Sequence, residues 1–172
     1  MGNFYLALPE TWISVDIDEE GIDAILNILE STNEDWAENF LSMFSSDALA
    51  EYLKFWAMDS QPAGMGYANL VVTYQTMPFA IPIADYCDQL PATYSQLGIE
   101  LLDARCDLKI NGLDSARVSL RLSVGALTVK QSQYIFLKGR KAWSMACSAD
   151  ETQWEKYAPI FDTIGESFQV VE

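Results

Sequence analysis

Histidine is absent from this chain of 172 residues. That absence removes the Ser-His-Asp and Cys-His nucleophile pairs, the His-bearing zinc sites and the commonest general base in one stroke. The sequence also has no Cys-x-x-Cys pair, no Walker A motif, no Gly-x-Gly-x-x-Gly and no Ser-x-x-Lys, and Gly64-Met-Gly66 by itself is a turn. No apolar run approaches the ~20 residues that span a bilayer. The most apolar window, Met77 to Ala84, contains Pro78 and Pro82. Membrane insertion is not expected.

Bases are missing from most of the chain. Residues 1–100 hold 16 acids and one base, Lys54, whereas residues 101–172 hold 9 acids and 9 bases, so the whole net charge of −15 arises in the first hundred residues. Such a field repels phosphate backbones, so nucleic acid is not an expected partner. It favours solubility and a basic partner surface or a cation. Three cysteines, Cys87, Cys106 and Cys147, are odd in number and widely spaced, which speaks against a disulfide framework and for buried free thiols. Cys106 follows Arg105, whose charge favours a nucleophilic thiolate, but its place on an alternating strand favours a core position.

What the chain has is apolar material in regular patterns: 50% of its residues are hydrophobic and 12% aromatic, enough for one domain with a full core. From Arg117 to Val124 polar and apolar residues alternate strictly, placing Val118, Leu120, Leu122 and Val124 on one face of a strand. Asn111-Gly112 tolerates positive φ at both positions and predicts a hairpin between strands Ile99–Ile110 and Ser115–Val124. Further strands are predicted at Leu127–Leu137 and Ala142–Cys147. The apolar parity of Leu127–Leu137 is mixed, which requires either a bulge or a strand covered on both faces. Trp154, Tyr157, Phe161, Ile164 and Phe168 recur at helical steps and predict a closing helix over Thr152–Phe168, kinked at Pro159.

Towards the N-terminus a short strand is predicted at Trp12–Ile17, then helices carrying Ile22, Ile25, Leu26 and Leu29 and then Trp36, Phe40, Met43 and Phe44, with further helix at Asp47–Glu51. Strands Tyr52–Asp59 and Tyr67–Thr76 form a hairpin across Gln61–Gly66, and Pro82–Leu97 reads as a helix kinked at Pro91. The expected fold is α+β, a three-layer α/β/α sandwich on a mainly antiparallel sheet of six or seven strands.

Leu8-Pro9-Glu10-Thr11-Trp12, the run Gln133-Tyr-Ile-Phe-Leu-Lys-Gly139 with Ala142-Trp-Ser-Met145, and Tyr157-Ala-Pro-Ile-Phe161 with Ser167-Phe168 resemble the PsbP-like, or Mog-like, superfamily. The likeness is to a bacterial branch related to mycobacterial lipoproteins and to chaperones of type VI secretion effectors. It implies a single domain over residues 1–172, with a helical insertion at 19–50, and a habit of binding other proteins without catalysis. It carries over no catalytic residue.

The reading is therefore a non-catalytic protein-binding, chaperone or scaffold module, not an enzyme and without a cofactor, with another protein as partner. Met43, Met58, Met65, Met77 and Trp56 suit an adaptable surface, although most of them are expected to pack in the core. The alternative is a small-ligand or calcium-binding domain. Asp16-Ile-Asp18-Glu-Glu20-Gly21 matches an EF-hand loop at its first, third and sixth positions, so Asp16, Asp18 and Glu20 are the metal candidates, although the twelfth position is Asn27. Arg117, Arg121, Lys130, Gln131 and Gln133 form a candidate partner surface on the sheet. A complete chain beginning at Met1 is expected in the cytoplasm, and one whose leader has been removed is expected as an extracytoplasmic lipoprotein.

Overall fold

Strands and tight turns account for most of the described residues. The computed structural model describes residues 3–15, 17, 20, 21, 23, 24, 27, 51–124 and 126–171. Strands β1 (Phe4–Tyr5), β2 (Trp12–Val15), β3 (Leu53–Ala63) and β4 (Gly66–Thr76) precede helix α1 (Ile83–Gln96). A meander follows, β5 (Glu100–Ile110), β6 (Leu113–Val124), β7 (Leu127–Lys138) and β8 (Lys141–Asp150). A 3-10 turn at Glu151–Gln153 then leads into helix α2 (Trp154–Glu166) and strand β9 (Gln169–Val170). The predicted helices within 22–50 lie outside the described residues, apart from helical positions such as Asp23 and Ala24.

Seven strands make one sheet in the order β2-β3-β4-β8-β7-β6-β5, every neighbouring pair antiparallel. β1 and β9 form a separate two-stranded ribbon. The Asn111-Gly112 turn has φ of +49° and +82°, as a two-residue hairpin loop requires, and sets Ile110 opposite Leu113. The β3–β4 turn is tighter than Gln61–Gly66: β3 runs through Pro62, and only Gly64 and Met65 turn the chain. Both prolines of the helical segments, Pro91 and Pro159, sit inside single continuous helices.

β7 explains its own mixed parity. Its register with β6 and β8 is unbroken, so no bulge resets the phase. Tyr134 and Phe136 belong to a core cluster with Trp143, Met145, Tyr157, Phe161, Ile164 and Phe168, the buried stripe of α2. Ile135 and Leu137 belong to another cluster, with Val118, Leu120 and the buried stripe Cys87, Leu90 and Tyr94 of α1. The fold is thus α+β, a seven-stranded antiparallel sheet with two helices among the described residues.

Phe168 anchors the aromatic core. It stacks on Phe136 at 4.0 Å and 8° and on Phe4 at 5.4 Å and 17°, tying the β1–β9 ribbon to the sheet. At Gly165 the helix backbone comes so close to β7 that an added Cβ would lie 2.6 Å from Cζ of Tyr134. Asp150 clamps the other end of α2: its carboxylate accepts from the backbone N–H of Met65 at 2.9 Å and from both the N–H and hydroxyl of Thr152.

The cysteines depart from expectation. Cys87 of α1 and Cys106 of β5 form a disulfide, with Cα atoms 6.3 Å apart, and only Cys147 is free and buried. Helical spacing put Cys87 on the buried stripe of α1, and the edge strand β5 runs beside that helix, so a pair 19 residues apart in sequence becomes adjacent in space. Cys106 is therefore a bridging residue and not a lone core thiol. Burial, then Asp162, pushes the Cys147 thiol far above its ordinary range, which keeps it inert at neutral pH.

Candidate functional site

A groove of about 1090 Å3 opens where the β1–β9 ribbon crosses the ends of β3 and β4. Aromatic side chains line it: Phe4 and Tyr5 from β1, Tyr52 at a helical position just before β3 where the sequence predicts a strand, Phe55 from β3, and Tyr74 from β4. Phe55 meets Phe4 edge-on at 6.1 Å, and Tyr74 rests on Trp143 at 5.3 Å, so the inner rings are fixed by the core. Among the described residues nothing covers the outer rings. Tyr5 is 57% and Tyr52 41% exposed, a concentration of open aromatic surface of the kind that marks interfaces. Polar groups share the lining, from Asn3, Glu51, Lys54, Gln75 and Thr76: the Tyr74 hydroxyl pairs with Thr76, and Lys54 donates to the carbonyl of Glu51.

The polar residues singled out from sequence divide between two faces of the sheet. Arg117, Arg121 and Lys130 share the face beneath α2 and its leading turn. Arg121 makes a forked pair with Glu151, Nε to Oε1 at 2.9 Å and Nη2 to Oε2 at 3.1 Å, with Glu100 at 3.5 Å and Lys130 joining at 3.8 Å. The hydrogen bond from Arg121 holds the Glu151 carboxyl below its ordinary range, against the opposing effect of desolvation. Arg117 Nη1 donates to Asp162 of α2 at 2.8 Å, and the Tyr134 hydroxyl donates to the same oxygen at 2.6 Å. Burial and then Asp162 push the Tyr134 phenol well above its usual value.

Gln131 and Gln133 point to the opposite face. Gln131 donates to the Ser148 hydroxyl at 2.9 Å and Gln133 to the Ser144 hydroxyl at 2.7 Å, while Gln133 Oε1 accepts from Tyr94 of α1. Burial, then Tyr86, pushes the Tyr94 phenol up to about 12, so it remains a donor throughout the physiological range. The five residues are therefore divided between the two faces of the sheet. Alternation along β7 separates Lys130 from Gln131 by a full face.

Among the metal candidates, Asp16 and Asp18 lie outside the described residues, and Glu20 is helical and exposed. Among the described residues no three carboxylates or thiols converge on a common point. No described helix is long and apolar enough to cross a membrane.

No protein-family model matches this sequence, and no curated protein matches it. Solved structures do. LpqN of Mycobacterium tuberculosis, involved in cell envelope biogenesis, superposes with a TM-score of 0.62 at 11% identity over 99% of this chain and 86% of that one. Cyanobacterial PsbP from Synechocystis sp. PCC 6803 superposes with a TM-score of 0.56 at 15% identity, covering 99% of this chain and 94% of its own. The fold is PsbP-like. A Pseudomonas aeruginosa protein of unknown function, PA94, shares the PsbP-like frame at a TM-score of 0.55 and 14% identity over 66% of this chain and 77% of that one. Identities this low speak for the frame alone.

The aromatic groove was not visible in the sequence. Tyr5 and Tyr52 are separated by 47 positions, and neither sits in a patterned stretch. Their meeting depends on the ribbon that β1 makes with β9 at the far end of the chain.

Proposed function

We propose that this chain is a non-catalytic protein-binding module, a chaperone or scaffold, whose partner segment seats against Tyr5 and Tyr52 in the groove beside β1. The observation that carries this reading is the open aromatic surface on a frame where Arg117 and Arg121 of β6 are already engaged by carboxylates. Aromatic side chains give large contact area for little lost rotamer freedom and dominate protein interfaces. The proposal includes one domain over residues 1–172 with a helical insertion near 19–50. It also includes an α/β/α arrangement, supported by the parity of β7, whose alternate residues pack with α1 and with α2. The Cys87–Cys106 bridge favours the extracytoplasmic alternative for its compartment, because structural disulfides persist in oxidising surroundings.

The test is photo-crosslinking from position 52 in the native host extract, compared with position 97, where Leu97 is also exposed. A partner captured from position 52, absent from position 97 and lost in a Tyr5→Ser variant of unchanged melting temperature is the expected result. Identical captures from both positions would sink the reading.

A further inference from the structure

A second recess, of about 340 Å3, lies where the β5–β6 hairpin meets the C-terminal end of α2. Three of the chain's ten bases line it, Arg105, Lys109 and Arg117. In a protein of net charge −15 these three bases share the lining with a single acid, Glu166. We propose that this recess binds an oxyanion, the carboxylate or phosphate group of a ligand, with Arg105 as its principal contact.

Register supplies the first reason. Arg105 of β5 stands directly opposite Arg117 of β6, and opposed residues of an antiparallel pair share one face. Like charges so placed repel one another unless an anion lies between them. Asp162 answers only Arg117, and it does so while also accepting from Tyr134. Lys109 is paired with Asp114. Among the described residues no carboxylate forms an ion pair with Arg105, which is exposed and directed at the recess.

Donor chemistry supplies the second. The Nε of Arg117 is buried and has no hydrogen-bond partner among the described residues, which leaves one donor of the arginine pair unsatisfied. A guanidinium presents a planar fork that matches the two oxygens of a carboxylate or phosphate, and the recess is at the small end of ligand-pocket volumes, about 300–1,000 Å3. Asn111 does not compete for the ligand: its amide is spent on the carbonyls of Glu166 and Phe168, which fixes the recess wall. Glu166 lines the recess as well, and its carboxylate opposes an anion. That opposition gives the proposal a signed consequence.

The experiment is a titration of the backbone amide signals of Arg105, Asn111 and Glu166 in the intact protein, at fixed ionic strength so that screening is common to every arm. The probes are inorganic phosphate, N-acetylglycine and N-acetylglycinamide. Saturable shifts with phosphate or with N-acetylglycine, and none with the amide, are expected. Phosphate alone assigns a phosphate-bearing ligand, and N-acetylglycine alone assigns a carboxylate-bearing one. Arg105→Ala, on an exposed edge strand, abolishes the shifts without moving the melting temperature; Arg105→Lys keeps the charge but loses the fork and weakens binding at least tenfold. Glu166→Gln tightens it severalfold. Equal shifts with acid and amide, an unchanged titration in Arg105→Ala, or weaker binding in Glu166→Gln would overturn the proposal.

Discussion

Opening the Cys87–Cys106 bridge is the sharpest perturbation this fold offers, because it releases helix α1 from the edge strand without touching the sheet. The bridge closes a loop across a sequence separation of 19. Restricting a loop of that length in the unfolded chain stabilises the folded state by about 3 kcal/mol on the chain-entropy account. For a chain of this size each kcal/mol corresponds to about 2–4 °C, so reduction should lower the melting temperature by about 6–12 °C. The assay is thermal unfolding with and without a phosphine reductant, paired with a thiol count in denaturant. One thiol, Cys147, should react before reduction and three after it. A Cys87→Ser/Cys106→Ser variant should melt with the reduced protein and ignore the reductant. Three reactive thiols in the untreated protein would refute the bridge itself. A bridge present by thiol count but silent in the melt would refute the entropic estimate.

Three other outcomes follow from the packing. Gly165→Ala places a methyl 2.6–2.8 Å from three ring atoms of the buried Tyr134, and the forced shift of α2 should cost about 1–3 kcal/mol despite alanine's better helix propensity; a denaturant midpoint that rises instead would show that α2 is not seated on this ring. Tyr157→Phe removes the 2.8 Å hydrogen bond to the buried Asp59 and should lower stability by about 1–3 kcal/mol, read by the same unfolding curve. Burial favours protonation of Asp150, but hydrogen bonds from Met65 and Thr152 prevail and hold its carboxyl below the ordinary range. Its contribution is therefore full above the unfolded carboxyl value of about 3.9 and is lost as pH falls through the lowered folded value. Stability curves of the wild type and Asp150→Asn should converge on acidification, and a gap that widens below pH ~4 would contradict the clamp.

The meander was legible because its signals are local. The alternation through Arg117–Val124 and the Asn111-Gly112 pair each need only neighbours in sequence, and β5 to β8 formed where those signals placed them. The β7 parity was legible as a question and needed the two helices for its answer. What was not legible required distant partners. Cys87 lies on a helix and Cys106 on a strand, so no spacing rule could pair them. The arginines, Gln131 and Gln133 look like one surface in sequence, but the alternation of β7 sends Gln133 to Tyr94 of α1, Gln131 to Ser148 and Lys130 to Glu151. Tyr5 and Tyr52 gain a common groove only because β9 holds β1 in place.

The strand order has a kinetic corollary. β5 to β8 form three successive hairpins whose loops are short, whereas β4 and β8 join residues such as Val72 and Met145 that are far apart along the chain. Closing short loops first sacrifices less chain entropy, so the meander is the natural nucleus and the β4–β8 seam zips late. Pulse-labelled exchange during refolding should protect the Arg117 amide before that of Val72. The two halves of the sheet would then be a template and its later recruit, and mutations along the seam would chiefly hasten unfolding while those in β6 and β7 slow folding.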